Sequence, residues 1–134
     1  MEKKKGKKLT VLYIPHNMGQ RCELMTINHS VENMASLIGC RFVDAVSCMF
    51  RDLDIWIDDE GLMFERPHNY RASALTRDRV PLVGNAFLAG FDEVGNTISV
   101  DKNDETNYAL SLLNKFDDQI VDIFSKDLEK VTNE

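Results

Sequence analysis

Short apolar runs separated by turn residues fill most of the chain and predict a β-sheet. Residues 9–14 are apolar on both alternating faces until Pro15 ends the run, which favours a strand covered on both sides. A second short strand is predicted over 24–27. The segment 41–50 is rich in Phe and Val and predicts a third strand.

A first β-hairpin is predicted in the middle of the chain. Apolar residues recur at every second position over 53–57, an acidic turn follows over 58–61, and residues 62–64 resume the apolar pattern. Gly61 is expected to supply a positive φ in this turn, because glycine adopts that conformation without steric cost.

A second hairpin follows the same pattern closer to the C-terminus. Residues 86–91 form its first strand, 92–95 its acidic, glycine-containing turn, and 96–100 its second strand. The stretch 65–81 between the two hairpins predicts no regular element.

One short helix is predicted over 31–38. Its apolar residues recur at helical spacing, and Ser30 before it is a suitable N-cap because its side-chain oxygen accepts a free backbone N–H. Gly39 is suited to end the helix in a left-handed conformation.

A long amphipathic helix is predicted at the C-terminus, with Asp101 or Asp104 as its cap. Its apolar stripe either packs on the sheet or forms the seam of a homodimer. The stripe consists of Ala109, Leu112, Leu113, Phe116, Ile120, Ile123, Phe124, Leu128 and Val131.

These elements predict an α+β fold: a mostly antiparallel sheet with two β-hairpins, one short helix and a long C-terminal amphipathic helix. Residues 1–8 are expected to be a flexible lysine-rich tail, 9–100 the core domain, and 101–134 the segment with the C-terminal helix. The length of 134 residues fits one domain.

The charge is unevenly distributed along the chain. The net charge is −6, but residues 9–134 hold 11 basic and 21 acidic side chains, a net of −10. An acidic body repels phosphates, so direct nucleic-acid binding is not expected. The acidic surface serves solubility, contact with a basic partner, or imitation of a nucleic acid.

The sequence also predicts a cytoplasmic location. Neither a run of 18 apolar residues nor a secretory signal is present. Cys22, Cys40 and Cys48 are odd in number and lack C-x-x-C spacing, which favours reduced thiols.

The order of these signals from residue 9 to 100 resembles a phage and plasmid family catalogued as domain of unknown function 3846. The resemblance rests on the strand ending at Pro15, the helix 31–38 with its glycine turn, the hairpin 57–62, and the segment 83–90. Asn69 and Ala72 also fit. The resemblance implies an accessory protein of a phage or mobile element in a bacterial host, and it supplies no catalytic residue.

No residue pattern predicts catalysis, a cofactor or a metal site. Nucleophile and phosphate-loop motifs are absent from the sequence. Potential zinc ligands are scattered without paired spacing, and the acidic run 52–60 lacks the ligand spacing of an EF-hand. The protein is therefore predicted not to be an enzyme.

Two candidate binding sites remain. The first would take a small nucleotide-like anion, because arginine pairs with phosphate oxygens and tyrosine stacks on bases. Alternatively, its arginines form salt bridges with neighbouring acids, and its asparagine fixes a turn by bonding backbone. Its residues are Asn69, Tyr70, Arg71, Arg77 and Arg79.

The second candidate site would contact a host protein, for example to blunt a defence system. Trp56 is either its anchor, if one face of its strand is exposed, or part of the core. Host-protein binding is the first functional hypothesis, and capture of a small anion is the alternative. The candidate contact residues are Trp56, Asp58, Asp59, Glu60, Phe116, Ile120 and Phe124.

Overall fold

Six strands form a single antiparallel sheet within the part of the chain that the computed structural model describes, which is residues 7–100, Ser111 and Leu113. The sheet order is β2-β1-β5-β4-β3, and β6 pairs with β5. The strands are β1 (Lys8–Ile14), β2 (Glu23–Asn28), β3 (Val43–Ser47), β4 (Leu53–Asp58), β5 (Ala86–Phe91) and β6 (Thr97–Ile98).

Strand β1 is covered on both faces, as its apolar pattern predicts. Leu9 and Val11 belong to the core on the side of helix α1 (Val31–Ile38), together with Phe87. Leu12 and Ile14 belong to the core on the opposite side. The sheet is therefore the middle layer of the fold.

The predicted helix over 31–38 is confirmed, and so are the residues predicted to begin and end it. The Oγ of Ser30 accepts the backbone N–H of Asn33 at 3.0 Å, which satisfies one donor of the first turn. Gly39 has φ 84° and ends the helix in the left-handed conformation. Met34 and Ile38 then face the sheet and are buried.

A second short helix, α2 (Tyr70–Ala74), lies in the stretch that was expected to be irregular. Asn69 is its N-cap and accepts the backbone N–H of Ala72 at 2.9 Å. The helix has only five residues, too few to produce a recognisable 3.6-residue pattern, which is why the sequence did not reveal it.

The predicted fold class is wrong in the number of short helices and in helix length. The structure is a mostly antiparallel sheet of six strands with two short helices, and it contains no long helix within the described residues. Apart from Ser111 and Leu113, the predicted C-terminal helix and its proposed dimer seam lie outside the described residues. Leu113 is buried in the core opposite α1. Lys8, placed in the predicted tail, is the first residue of β1.

The first predicted hairpin is also wrong in its partner strand. β4 pairs with the preceding β3, for example Ser47 with Asp54, and residues 62–64 lie in turns instead of a strand. Backbone bonds from Phe64 N to Glu60 O and from Arg66 N to Gly61 O curl this segment back on itself. The second hairpin is confirmed by the pairing of β5 with β6.

Candidate functional site

Four large apolar side chains are exposed where the chain leaves β4 and where it enters β3. Phe42, Leu62, Met63 and Phe64 are 58%, 81%, 63% and 46% exposed. The guanidinium of Arg41 links Phe42 with Phe64. We call the four apolar residues the Phe42–Phe64 surface. Grouped exposed apolar side chains are characteristic of interaction sites, whereas single ones are ordinary.

Backbone hydrogen bonds hold the two segments of this surface together. The N–H of Asp59 donates to the carbonyl oxygen of Phe42 at 2.9 Å, which joins the turn after β4 to the entry of β3.

Gly61 lies in this turn at a point where little space is available for a side chain. A Cβ there would be 2.8 Å from Cγ2 of Val83. Gly61 is not among the positive-φ residues, so the expectation of a positive φ is wrong, and close packing explains the glycine.

Two arginines lie over the aromatic rings of the surface. The guanidinium of Arg41 is 5.6 Å from the ring centre of Phe42 and 5.4 Å from that of Phe64. The guanidinium of Arg66 is 5.5 Å from the ring centre of Phe64. These separations are within the range of cation–π attraction, which fixes the rings and the arginines relative to one another.

Each of these arginines is also paired with a carboxylate. Arg41 binds Glu60 in a two-pronged contact, with Nε to Oε1 at 2.9 Å and Nη2 to Oε2 at 2.6 Å. Arg66 donates from Nε to Oδ2 of Asp58 at 3.1 Å. The planar fork of arginine suits this arrangement and leaves its face available for the rings.

Asp58 has a structural role beneath the surface. It is buried, and its Oδ1 accepts the backbone N–H of Glu60 at 2.8 Å while Oδ2 accepts from Arg66. Of the predicted acidic contact residues, Asp58 therefore supports the turn. Glu60 holds Arg41, and Asp59 is exposed beside them.

The thiol of Cys40, beside this surface, is kept protonated. Burial raises its pKa to about 11, the charge of Asp58 adds to the effect, and Arg66 opposes it. A nucleophilic cysteine requires a lowered pKa, so this environment disfavours thiolate chemistry. Among the described residues, no group of three or more His, Cys, Asp or Glu side chains is placed to hold a metal ion.

Two members of the predicted anion site, Arg71 and Asn69, are buried inside the fold. Arg71 is fully buried and donates to the carbonyl oxygens of Pro15, Asn17 and Gln20 at 2.6, 3.0 and 2.8 Å. Asn69 is also fully buried and fixes backbone, which is the alternative considered for it from the sequence. Both side chains bind backbone inside the fold, and their role in ligand binding stays a prediction.

The other three members of the predicted anion site are exposed, and the contacts described for them do not join them to one another. Tyr70 makes an edge contact with the ring of His68 at 4.3 Å between centres. Arg77 lies near Asp54, whose pKa is raised by burial while the charge of Arg77 opposes the rise. Arg79 adopts a left-handed φ of 56° in the turn after α2.

Trp56 lies on the α1 side of the sheet. It is half-buried, and its indole ring stacks on Phe87 with 6.3 Å between ring centres. Its exposure is therefore intermediate between the two alternatives drawn from the sequence. The other apolar contact candidates, Phe116, Ile120 and Phe124, lie outside the described residues.

Sequence reasoning missed the Phe42–Phe64 surface because it assigned its residues to strands. One signal was available: residues 62–64 are three consecutive apolar residues without alternation, followed directly by a charged pair and Pro67. Such a run is too short for a typical strand and is unusual on an exposed face.

Two cavities differ in their relation to this surface. One of about 70 Å³ adjoins it and is lined in part by His16, Asp58, Arg66 and Asn85. The larger, of about 660 Å³, lies at another part of the molecule, and its lining includes Lys7, Lys8 and His29.

The comparisons with known proteins establish a family. Residues 9–113 match the family described as Domain of unknown function (DUF3846). The chain belongs to this family. No curated protein matches the chain. Within the described residues, no helix has both the length and the apolar character needed to cross a membrane.

One solved structure similar to the DUF3846 chain is that of the small RNA methyltransferase HEN1. The match has a TM-score of 0.55 with 17% sequence identity. It covers 70% of this chain and 14% of the methyltransferase chain. At this level of identity the similarity concerns the fold alone.

Proposed function

We propose that this protein is a non-enzymatic accessory protein of a phage or mobile element, and that it binds a host protein through the Phe42–Phe64 surface. The host would be a bacterium and the location its cytoplasm. Blunting of a host defence system is one outcome that such binding would have. The observation that carries the proposal is the exposure of Phe42, Leu62, Met63 and Phe64 in one organised group.

The composition of this surface supports protein binding. Aromatic residues, Met and Arg are enriched at protein interfaces, and the core of an interface is depleted in charge. Burying one large apolar side chain contributes about 1.5–3 kcal/mol. Several such side chains would therefore provide substantial affinity when a partner covers them.

The preorganisation of the surface supports the same proposal. Arg41 contacts the rings of Phe42 and Phe64 and is paired with Glu60, which restrains these side chains before a partner binds. Rigid anchors reduce the entropic cost of association.

A pull-down with a matched control tests the proposal. The purified protein would be immobilised and exposed to bacterial host lysate, and recovered proteins would be identified, purified and remeasured in a two-component binding assay. The double variant Leu62→Ser/Phe64→Ser should lose the partner. Val94→Ser should retain it, because Val94 is 80% exposed but lies in the β5–β6 turn. Equal recovery by the double variant would refute the role of this surface.

A second candidate function, capture of a small anionic ligand, is favoured by the cavity of about 660 Å³. Its volume is within the range of small-molecule sites. Lys7, Lys8 and His29 among its lining residues offer positive charge or hydrogen-bond donors, and Asp92 adds one carboxylate that would oppose an anion. A thermal-shift screen with nucleotides tests this function, because a ligand that binds only the folded state raises its stability. A shift that persists in Lys8→Ala/His29→Ala would place the ligand elsewhere.

A further inference from the structure

We infer that the partner segment covering the Phe42–Phe64 surface is basic and amphipathic, with apolar side chains flanked by Lys or Arg. This inference rests on the proposed protein-binding function. It follows from which charged side chains at the surface are paired with an opposite charge and which are not.

The positive charges of the surface are already satisfied internally. Arg41 is paired with Glu60, and Arg66 is paired with the buried Asp58. Arg66 also lies within 3.4 Å of the carbonyl oxygen of Gly39. An acidic partner would have to compete with these contacts.

Among the described residues, the charged side chains next to residues 60–64 that are outside these pairs are negative. Asp59 and Glu65 stand on either side of residues 60–64 and are exposed. Neither forms an ion pair with another residue of the described part of the chain. Lys or Arg side chains of a partner would be attracted to these carboxylates, whereas an acidic segment would meet repulsion.

The apolar centre and the acidic rim therefore select for two properties at once. The partner segment needs apolar side chains to cover the phenylalanine rings and cationic side chains to reach the rim. A helix with one apolar face, flanked along its edges by Lys or Arg, has both properties. Nucleic acids do not meet the second requirement, because their backbone is anionic.

Two synthetic peptides of about 18 residues, enough for five helical turns, test the inference. Both carry the same Leu/Phe face, and their polar faces consist of Lys in one and Glu in the other. NMR titration of the full chain should show shifts at Phe42 and Met63 with the Lys peptide, and at least tenfold weaker binding of the Glu peptide. Higher ionic strength should weaken the binding of the Lys peptide, since salt screens exposed charges.

Variants of the rim complete the test. The double variant Asp59→Asn/Glu65→Gln should bind the Lys peptide about three- to tenfold more weakly, as expected for two exposed charge pairs. Glu93→Gln is the matched control, because Glu93 is exposed in the β5–β6 turn, and it should leave binding unchanged.

The contrary outcomes are distinguishable. Equal affinity for both peptides, or no effect of the double rim variant, would overturn the preference for a basic partner and leave the pull-down to decide the proposed function. Undiminished binding of the Lys peptide to Leu62→Ser/Phe64→Ser would place the peptide elsewhere and overturn the inference, while the pull-down still decides the proposed function.

Discussion

The side-chain nitrogen of Asn69 donates a hydrogen bond of 2.9 Å to the carbonyl oxygen of Ile14, the last residue of β1. The same nitrogen donates to the carbonyl oxygen of Gly84 at 2.8 Å, and Oδ1 caps helix α2 at the N–H of Ala72. One fully buried side chain thus connects β1, α2 and the segment that leads into β5. These three bonds position the loops at this end of the sheet.

Replacing Asn69 with Ala should destabilise the protein by about 2–4 kcal/mol. The cap contributes about 1 kcal/mol, and two buried carbonyl groups lose a donor. Chemical denaturation measures the free energy of unfolding. Ser30→Ala is the control, since it removes a cap alone and should cost about 1 kcal/mol. A cost for Asn69→Ala no greater than that of Ser30→Ala would mean that the bonds of the side-chain nitrogen contribute nothing.

Arg71→Met should release the loop 15–20 while keeping most of the aliphatic volume. The buried guanidinium donates to three carbonyl oxygens of this loop, and hydrogen bonds to charged groups contribute about 1.5–3 kcal/mol each. We expect a loss of at least about 2 kcal/mol in unfolding free energy and faster amide exchange across the loop.

The matched control for this change is Arg77→Met at an exposed position. Surface substitutions of this kind usually alter stability by less than about 0.5 kcal/mol. If both variants unfold at the same denaturant concentration, the buried arginine does not hold the loop.

The sequence predicted those parts of the fold in which local pattern and tertiary packing agree. The helix 31–38 was predicted with both ends because its cap, apolar spacing and glycine lie within ten residues. The strand 9–14 was predicted as doubly covered because it is apolar on both faces.

The errors arose where a long-range contact decides the conformation. Residues 62–64 are apolar, yet they lie in turns, and the turn that carries them is bonded to a distant segment through the N–H of Asp59 and the carbonyl oxygen of Phe42. The burial of Arg71 was not predicted, because composition reveals a rare cation but not the carbonyl groups it meets. The candidate site depends on stacking between residues distant in sequence, such as Arg41 and Phe64, which no local pattern predicts.

Cys40 should react slowly with iodoacetamide. A pKa of about 11, against an ordinary value of 9.0, leaves about a hundredfold less thiolate at pH 8. A more basic thiolate is also more nucleophilic, which offsets part of the loss in reaction rate. We expect a rate roughly tenfold below that of an unhindered thiol. Introducing Val94→Cys into the same chain supplies the reference, and peptide mass spectrometry follows both sites. Equal rates would contradict the protonated state.

Asp92 should titrate below its ordinary pKa of 3.8. Hydrogen bonds from the backbone of Asn96, and then from its side chain and from Val94, favour the charged carboxylate in the turn between β5 and β6. Because the folded-state pKa is lowered, the stabilisation is present above pH 3.8 and is lost as the pH falls through the folded value. NMR titration of the carboxyl carbon measures this pKa, and the Asn96 amide should titrate with it. An unshifted midpoint would contradict the turn geometry.

Gly61→Ala should destabilise the turn that carries the Phe42–Phe64 surface, and Val83→Ala should relieve the effect. The new Cβ would lie 2.8 Å from Cγ2 of Val83 and 3.3 Å from the carbonyl oxygen of Asp58. Overpacking of this kind costs about 1–3 kcal/mol. In a Val83→Ala background the nearest obstacle is absent, so the additional cost should fall by about half or more, and a double-mutant cycle measures this coupling.

Gly95→Ala is the control. Its strain comes from a φ of 89°, and a Cβ there has no neighbour within 4 Å, so its cost should not change when Val83 is replaced. Additive effects of Gly61→Ala and Val83→Ala would show that contact with Val83 is not what requires a glycine at this position.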